Sequence, residues 1–294
     1  MKRIFLFVLT NLAIMIMVSV VLGLLGVSGY ITADGLNYGA LMVVALVWGF
    51  GGAGISLLMS RWMAKMAMGV QVVDGRTGHA ELDWLHQTVE QLARKAGLPM
   101  PEVGVYDSPE VNAFATGPSK KSSLVAVSSG LMRSMRREEV EGVLAHEVSH
   151  IQNGDMVTMT LIQGVVNAFS IFFSRVIANV VRQLVDERIS GLVFFVTTIL
   201  FDIVFSILGM FVVAWFSRAR EFRADAGAAV LSSPNNMIAA LQRLQANQGL
   251  VDQSQPQLAT MKISGGKGKG LLALISTHPP LEERIAALQR PTLR

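Results

Sequence analysis

No cysteine occurs among the 294 residues. That excludes a disulfide framework, a cysteine zinc finger, an iron–sulfur cluster and a thiol nucleophile. Any metal site must therefore be built from His, Asp or Glu. Charge is also scarce, at 16% of residues against about 25% in soluble domains. With 51% apolar residues and a mean hydropathy of +0.47, the chain is neither a wholly soluble globule nor disordered. Its length suits two domains, at roughly 150 residues each. The net charge of +4 calls for no nucleic acid, because membrane proteins keep Lys and Arg on one side of the bilayer.

What the chain has instead is long apolar runs. Residues 4–25 and 39–60 carry no charge, and each is long enough to cross a hydrocarbon core of about 30 Å as a helix. The first run exceeds the h-region of a signal peptide and no A-x-A site follows it, so it reads as an anchor. Lys2 and Arg3 precede the first run, and Arg61, Lys65 and Arg76 follow the second, while residues 28–38 have neither Lys nor Arg. The positive-inside rule then places both flanks in the cytoplasm, with Trp62 as an interfacial anchor. Gly49-Phe50-Gly51-Gly52-Ala53-Gly54 is a literal G-x-G-x-x-G. It lies inside a membrane-length run rather than between a strand and a helix, so close helix packing is expected there and not a dinucleotide.

Two further runs, about 156–177 and 192–216, are less clean. Thr160, Gln163, Asn167, Ser170 and Ser174 form one polar stripe along the third, and Asp202 lies within the fourth. An aspartate in an apolar helix needs a polar partner, and the stripe is expected to supply it. The domain reading is an N-terminal transmembrane hairpin at 1–66, the first part of a soluble domain at 67–155, a second hydrophobic hairpin at 156–216, and the second part of that domain at 217–294. The fold class is mainly α: four hydrophobic helices plus a cytoplasmic α+β domain with a small sheet. Val103–Tyr106 and Leu124–Val127 read as its strands, and a helix is expected from about Arg136 to Asn153. Residues 245–270 read as a loop. A short amphipathic helix follows, with Leu281, Ile285 and Leu288 on one face.

His146-Glu147-Val148-Ser149-His150 is H-E-x-x-H. On a helix, positions i and i+4 share a face, so both imidazoles can hold one zinc ion. Glu147 is then placed to act as general base on the attacking water. Zinc needs a third protein ligand, and topology suggests Glu221. His150 stands six residues before Met156 and Glu221 five after Phe216. A hairpin returns the chain to the side it left, so both stand about 8–9 Å above one interface. Asp225, four residues beyond Glu221, can accept the remaining N–H of a ligand histidine.

These motifs, with Asn112-Ala113-Phe114-Ala115-Thr116-Gly117, Arg220-Glu221-Phe222-Arg223-Ala224-Asp225 and the late His278-Pro279-Pro280, resemble the HtpX-type membrane metalloproteases. These are gluzincin peptidases related to the CaaX prenyl endopeptidases. The resemblance covers nearly the whole chain except residues 245–270. It implies His146, His150 and Glu221 as ligands of one zinc ion per chain, Glu147 as catalytic base and Asp225 as the residue that orients a ligand. It further implies Asn112 and the Ala113 backbone as holders of the substrate main chain, with His278 stabilising the oxyanion.

The expected activity is endopeptidase cleavage of unfolded or damaged membrane proteins, as quality control, at the cytoplasmic face of the bacterial inner membrane. The lipid bilayer is the standing partner. Substrate is expected to pair as an extended strand near Leu124–Val127. An intramembrane metalloprotease is a rival reading. It is disfavoured by Arg136, Arg137, Glu138, Glu139 and Glu141 at the start of the motif helix. A non-catalytic zinc-binding adaptor is a second rival, and Glu147 argues against it, since a purely structural site has no use for a base.

Overall fold

The computed structural model describes residues 15–27, 29–32, 35–247 and 276–290. These residues fall into two compact units. One holds the described residues up to Ser56 together with Met159–Val213, and the other holds Leu57–Thr158 together with the described residues from Ala214 onward.

In the first unit, helix α1 is described over Met15–Leu24; residues 4–14 of the first apolar run lie outside the described residues. A small hairpin, β1 (Ile31–Thr32) and β2 (Gly35–Leu36), precedes helix α2 (Tyr38–Met68). Helices α6 (Asp155–Arg182) and α7 (Glu187–Leu231) follow later in the chain. Helices α2, α6 and α7 are each long and apolar enough to cross a membrane. Large apolar side chains such as Leu192, Phe195, Val196 and Leu200 lie exposed along α7. In water such a surface would associate, and in lipid it is at home.

The glycine-rich segment lies within α2, where a Cβ on Gly49 would come 2.6 Å from Ala168 N and 2.8 Å from Gly164 O on α6. Only a residue without a side chain lets the two backbones approach this closely, which is the role expected of it. Asp202 also finds its partner, although the stripe contributes its last member, Ser174. Ser174 Oγ donates to Asp202 Oδ1 at 2.6 Å, and Arg175 Nη1 donates to the same oxygen at 2.7 Å.

The second unit is built around a four-stranded sheet of order β3 (Gln71–Val73), β4 (Glu102–Tyr106), β6 (Ser122–Ser128), β5 (Ala113–Ser119). The β4–β6 pair is parallel and the other two pairs are antiparallel. This order corrects the expected substrate strand. Leu124–Val127 is the inner stretch of β6, bonded on both sides and buried, so its backbone has no free edge to offer. The edge of the sheet next to β6 belongs to β5. That strand is the Asn112–Gly117 motif region, which alternation alone did not announce because Gly117 and Pro118 interrupt it.

Helices α3 (Ala80–Lys95), α4 (Ser129–Ser134), α5 (Arg137–Asn153), α8 (Pro234–Ala246) and α9 (Leu281–Gln289) complete this unit. Helix α5 packs against α3, α8, β5 and β6, with Val140, Val143, Leu144 and Val148 in the shared core. At its start Glu139 reaches back to accept the Arg136 backbone N–H at 2.8 Å, satisfying one of the orphan donors of the first turn. Its end is set by Gly154 at φ +70°. That left-handed residue closes one helix and lets α6 begin at Asp155, one residue before the apolar run.

Candidate metal centre

The site is assembled from α5, from the stretch of α7 beyond Val213 and from α9 with the residues just before it, and these belong to the second unit. On α5 the four-residue spacing sets His146 and His150 on one face, with their Nε2 atoms 3.0 Å apart. Helix α7 continues from its apolar run through Glu221 and Asp225 without a break, which keeps these two carboxylates on one face as well. Glu221 is 0% exposed; its Oε2 lies 3.4 Å from His146 Nε2 and its Oε1 3.4 Å from His150 Nε2. One ligand atom from each of the three residues falls within 4.8 Å of the others.

The other ring nitrogens are taken by carboxylates. His146 Nδ1 lies 2.9 Å from Asp225 Oδ1, and His150 Nδ1 lies 2.6 Å from Asp155 Oδ2. A carboxylate on Nδ1 holds the proton there and turns the Nε2 lone pair inward. Two lone pairs and a fully buried carboxylate thus converge on one point. Such groups repel one another unless a cation lies between them, so the donor chemistry fits a metal ion.

The electrostatics agree with that polarity. Burial alone would push the His146 pKa down, but hydrogen bonds to Asp225 and Glu221 overcome it and carry it up to about 9. The His150 pKa also moves up, with burial and the neighbouring His146 opposing and Glu221 and Asp155 prevailing. Burial works against ionising Glu221, yet the His278 and His150 charges hold its carboxyl well below the usual range. Against its own burial, the Arg284 guanidinium brings Asp225 down to about 2.

The remaining candidates take up distinct positions. Glu147 is on α5 beside His146 and is 4% exposed. His278, just before α9, puts Nδ1 3.0 Å from Glu221 Oε2. Asn112 is buried immediately before β5, its backbone N–H donating to Ser128 Oγ at 3.1 Å, and Ala113 opens the strand. Tyr106, the last residue of β4, is buried as well. Burial drives its phenol pKa up, the Asn112 amide opposes this, and the Glu110 and Glu147 carboxylates add to the rise.

Two residues escaped the sequence reading. Asp155, the partner of His150, was assigned to a domain boundary, although a second ligand histidine requires its own orienting acceptor. Arg284, on α9, donates from Nε and Nη2 to the two oxygens of Asp225 at 2.7 and 2.6 Å. Its signal was present: three residues after Leu281 and four before Leu288, it is an arginine on the apolar face of an amphipathic helix.

An H-E-x-x-H helix and a glutamate helix closing on one point, in a chain with three membrane-length apolar helices among its described residues, define a membrane metallopeptidase. The chain belongs to peptidase family M48, since the profile described as Peptidase family M48 matches residues 79–292. Over almost its whole length it is similar to proteins named for HtpX. Protease HtpX of Thioalkalivibrio sulfidiphilus is 53% identical over 293 residues, covering 98% of this chain and 99% of that one. Protease HtpX homolog of Paracidovorax citrulli is 55% identical over 296 residues, with 98% and 99% covered. The fold is similar to that of S. mikatae Ste24p in its crystal structure, with a TM-score of 0.65 at 19% identity over 98% of this chain. The chain spans 65% of that protein's length.

Proposed function

We propose that the chain is a zinc-dependent endopeptidase that cleaves unfolded or damaged membrane proteins at the cytoplasmic face of the bacterial inner membrane. The observation that carries this reading is the convergence of His146 Nε2, His150 Nε2 and the fully buried Glu221 carboxylate. Two imidazoles and one carboxylate without a thiolate suit zinc in a site that keeps a position open. Bound zinc supplies Lewis acidity, lowering the pKa of water from about 15.7 toward about 7 and polarising the scissile carbonyl.

The protein's own groups do the rest. Glu147, next to the first ligand and largely shielded from solvent, takes the proton of the attacking water and passes it to the leaving nitrogen. His278, at the Glu221 carboxylate, is the donor for the charge developing on the carbonyl oxygen. The edge of β5 from Ala113, which no other strand pairs on its outer side among the described residues, takes the substrate as an extended segment, with Asn112 at the head of that strand. The cytoplasmic placement is supported by the Lys and Arg flanking residues 4–25 and 39–60.

The test uses the full chain in detergent. Metal analysis is expected to give about one zinc per chain. Glu147→Gln is expected to retain that zinc while lowering cleavage of an unfolded substrate by about 10²–10⁴-fold. Undiminished cleavage by this variant would sink the assignment.

A further inference from the structure

We infer that Arg284 is a positioning residue of the metal centre, acting through Asp225 on His146. The inference rests on the ligand reading proposed above. Arg284 is 0% exposed, and its guanidinium meets Asp225 fork to fork, Nε to Oδ2 at 2.7 Å and Nη2 to Oδ1 at 2.6 Å. Oδ1 is the same oxygen that lies 2.9 Å from His146 Nδ1. A carboxylate held by one imidazole can still swing about its own side-chain bonds. Two parallel bonds from a planar guanidinium fix its plane and its place. The orientation of Asp225, and through it the ring of His146, is therefore set from α9 rather than from α7, which carries Asp225.

A second contact points the same way. Arg284 Nη1 lies 3.5 Å from Glu221 Oε2, so one cation faces both of the carboxylates that α7 brings to the centre. Those two like charges stand one helical turn apart in a buried site and would otherwise repel. Anchoring α9 does not by itself require an arginine: Leu281 is buried, and Ile285 and Leu288 pack against the core beside it. Taking a guanidinium out of water is costly, and its position at the junction of Asp225, Glu221 and His146 is where that charge acts. A lysine cannot replace it, because a single rotatable ammonium has no fork.

The experiment measures zinc affinity of the full chain by competition with a chromophoric chelator, and the melting temperature of the metal-free protein alongside. Arg284→Gln and Arg284→Lys are expected to bind zinc about 10–100-fold more weakly than the parent. Asp225→Asn is expected to weaken binding similarly, and adding Arg284→Gln to it should change affinity by less than Arg284→Gln does in the parent, because the two share the Asp225 contact. If the parent binds no zinc, the ligand reading falls and this inference with it. If the parent binds zinc and Arg284→Lys binds equally well, the positioning role alone is overturned. A lowered metal-free melting temperature with unchanged zinc affinity overturns it too, since that is the mark of a merely structural residue. Should Arg284→Gln fail to fold, Arg284→Lys, which keeps the charge, decides the question.

Discussion

Each histidine of the H-E-x-x-H pair has its own carboxylate, and the two come from different places: Asp225 four residues past Glu221, and Asp155 one residue past the glycine that ends α5. Asp155→Asn keeps the size of the side chain but weakens its hold on the His150 N–H. It is expected to lower zinc affinity by about 10–100-fold while leaving the metal-free fold near its parent stability, as chelator competition and thermal unfolding would show. At this scale the sequence was informative about which residues converge, Asp225 included, and poor about Asp155 and Arg284 beside them. His146, Glu147 and His150 announce themselves through fixed spacing on one helix, which is local, and Glu221 through the hairpin that returns the chain to the same side. The Asp225–Arg284 pair joins residues 59 apart, and no periodicity links them. Only an arginine among leucines on one helix face hinted at it.

Helix α5 shows how one element serves two ends. Near its C-terminus it carries the imidazoles, and near its N-terminus Glu139 is buried with its oxygens on the Arg136 backbone and on Arg243 of α8 at 3.2 and 3.3 Å. Burial opposes ionisation of Glu139, but these donors prevail and its pKa lies below the model-peptide value of 4.5. The unfolded chain then binds the proton more readily than the folded one. The stabilisation is thus complete above the unfolded pKa and is lost as pH falls through the lower, folded one. Glu139→Gln is expected to cost roughly 1–3 kcal/mol at neutral pH, with the difference in melting temperature shrinking below about pH 4.5. A difference that stayed constant down to pH 3 would contradict this. Element boundaries were legible where a chemical signal marks them, as at Gly154. They were not where tertiary pairing decides, as in β5, whose Gly117 and Pro118 argue locally against a strand and whose hydrogen bonds to β6 override them.

For the whole molecule, three of the four apolar runs visible in the sequence reappear as α2, α6 and α7, because membrane spans follow from composition and length alone. Strand order had no such local signature, which is why an interior strand was mistaken for an edge. The absence of cysteine makes membrane orientation simple to test, since any introduced thiol is unique. In spheroplasts, Thr32→Cys, at the end of β1, is expected to react with an impermeant maleimide. Asn235→Cys, exposed on α8, is expected to react only after lysis. The reverse pattern would move the metal centre to the opposite side.

The outer edge of β5 has a further consequence under the proposed activity. A strand that holds its guest by backbone amides and carbonyls finds those groups already bonded in any well-folded protein. Cleavage then waits for a stretch of the target to open, and its rate follows the fraction of time that stretch spends open. Each 1.4 kcal/mol of local opening free energy is worth about tenfold in that rate. Such a protease has no need to recognise damage as a chemical mark; it samples persistence, and a protein survives by closing faster than it is cut.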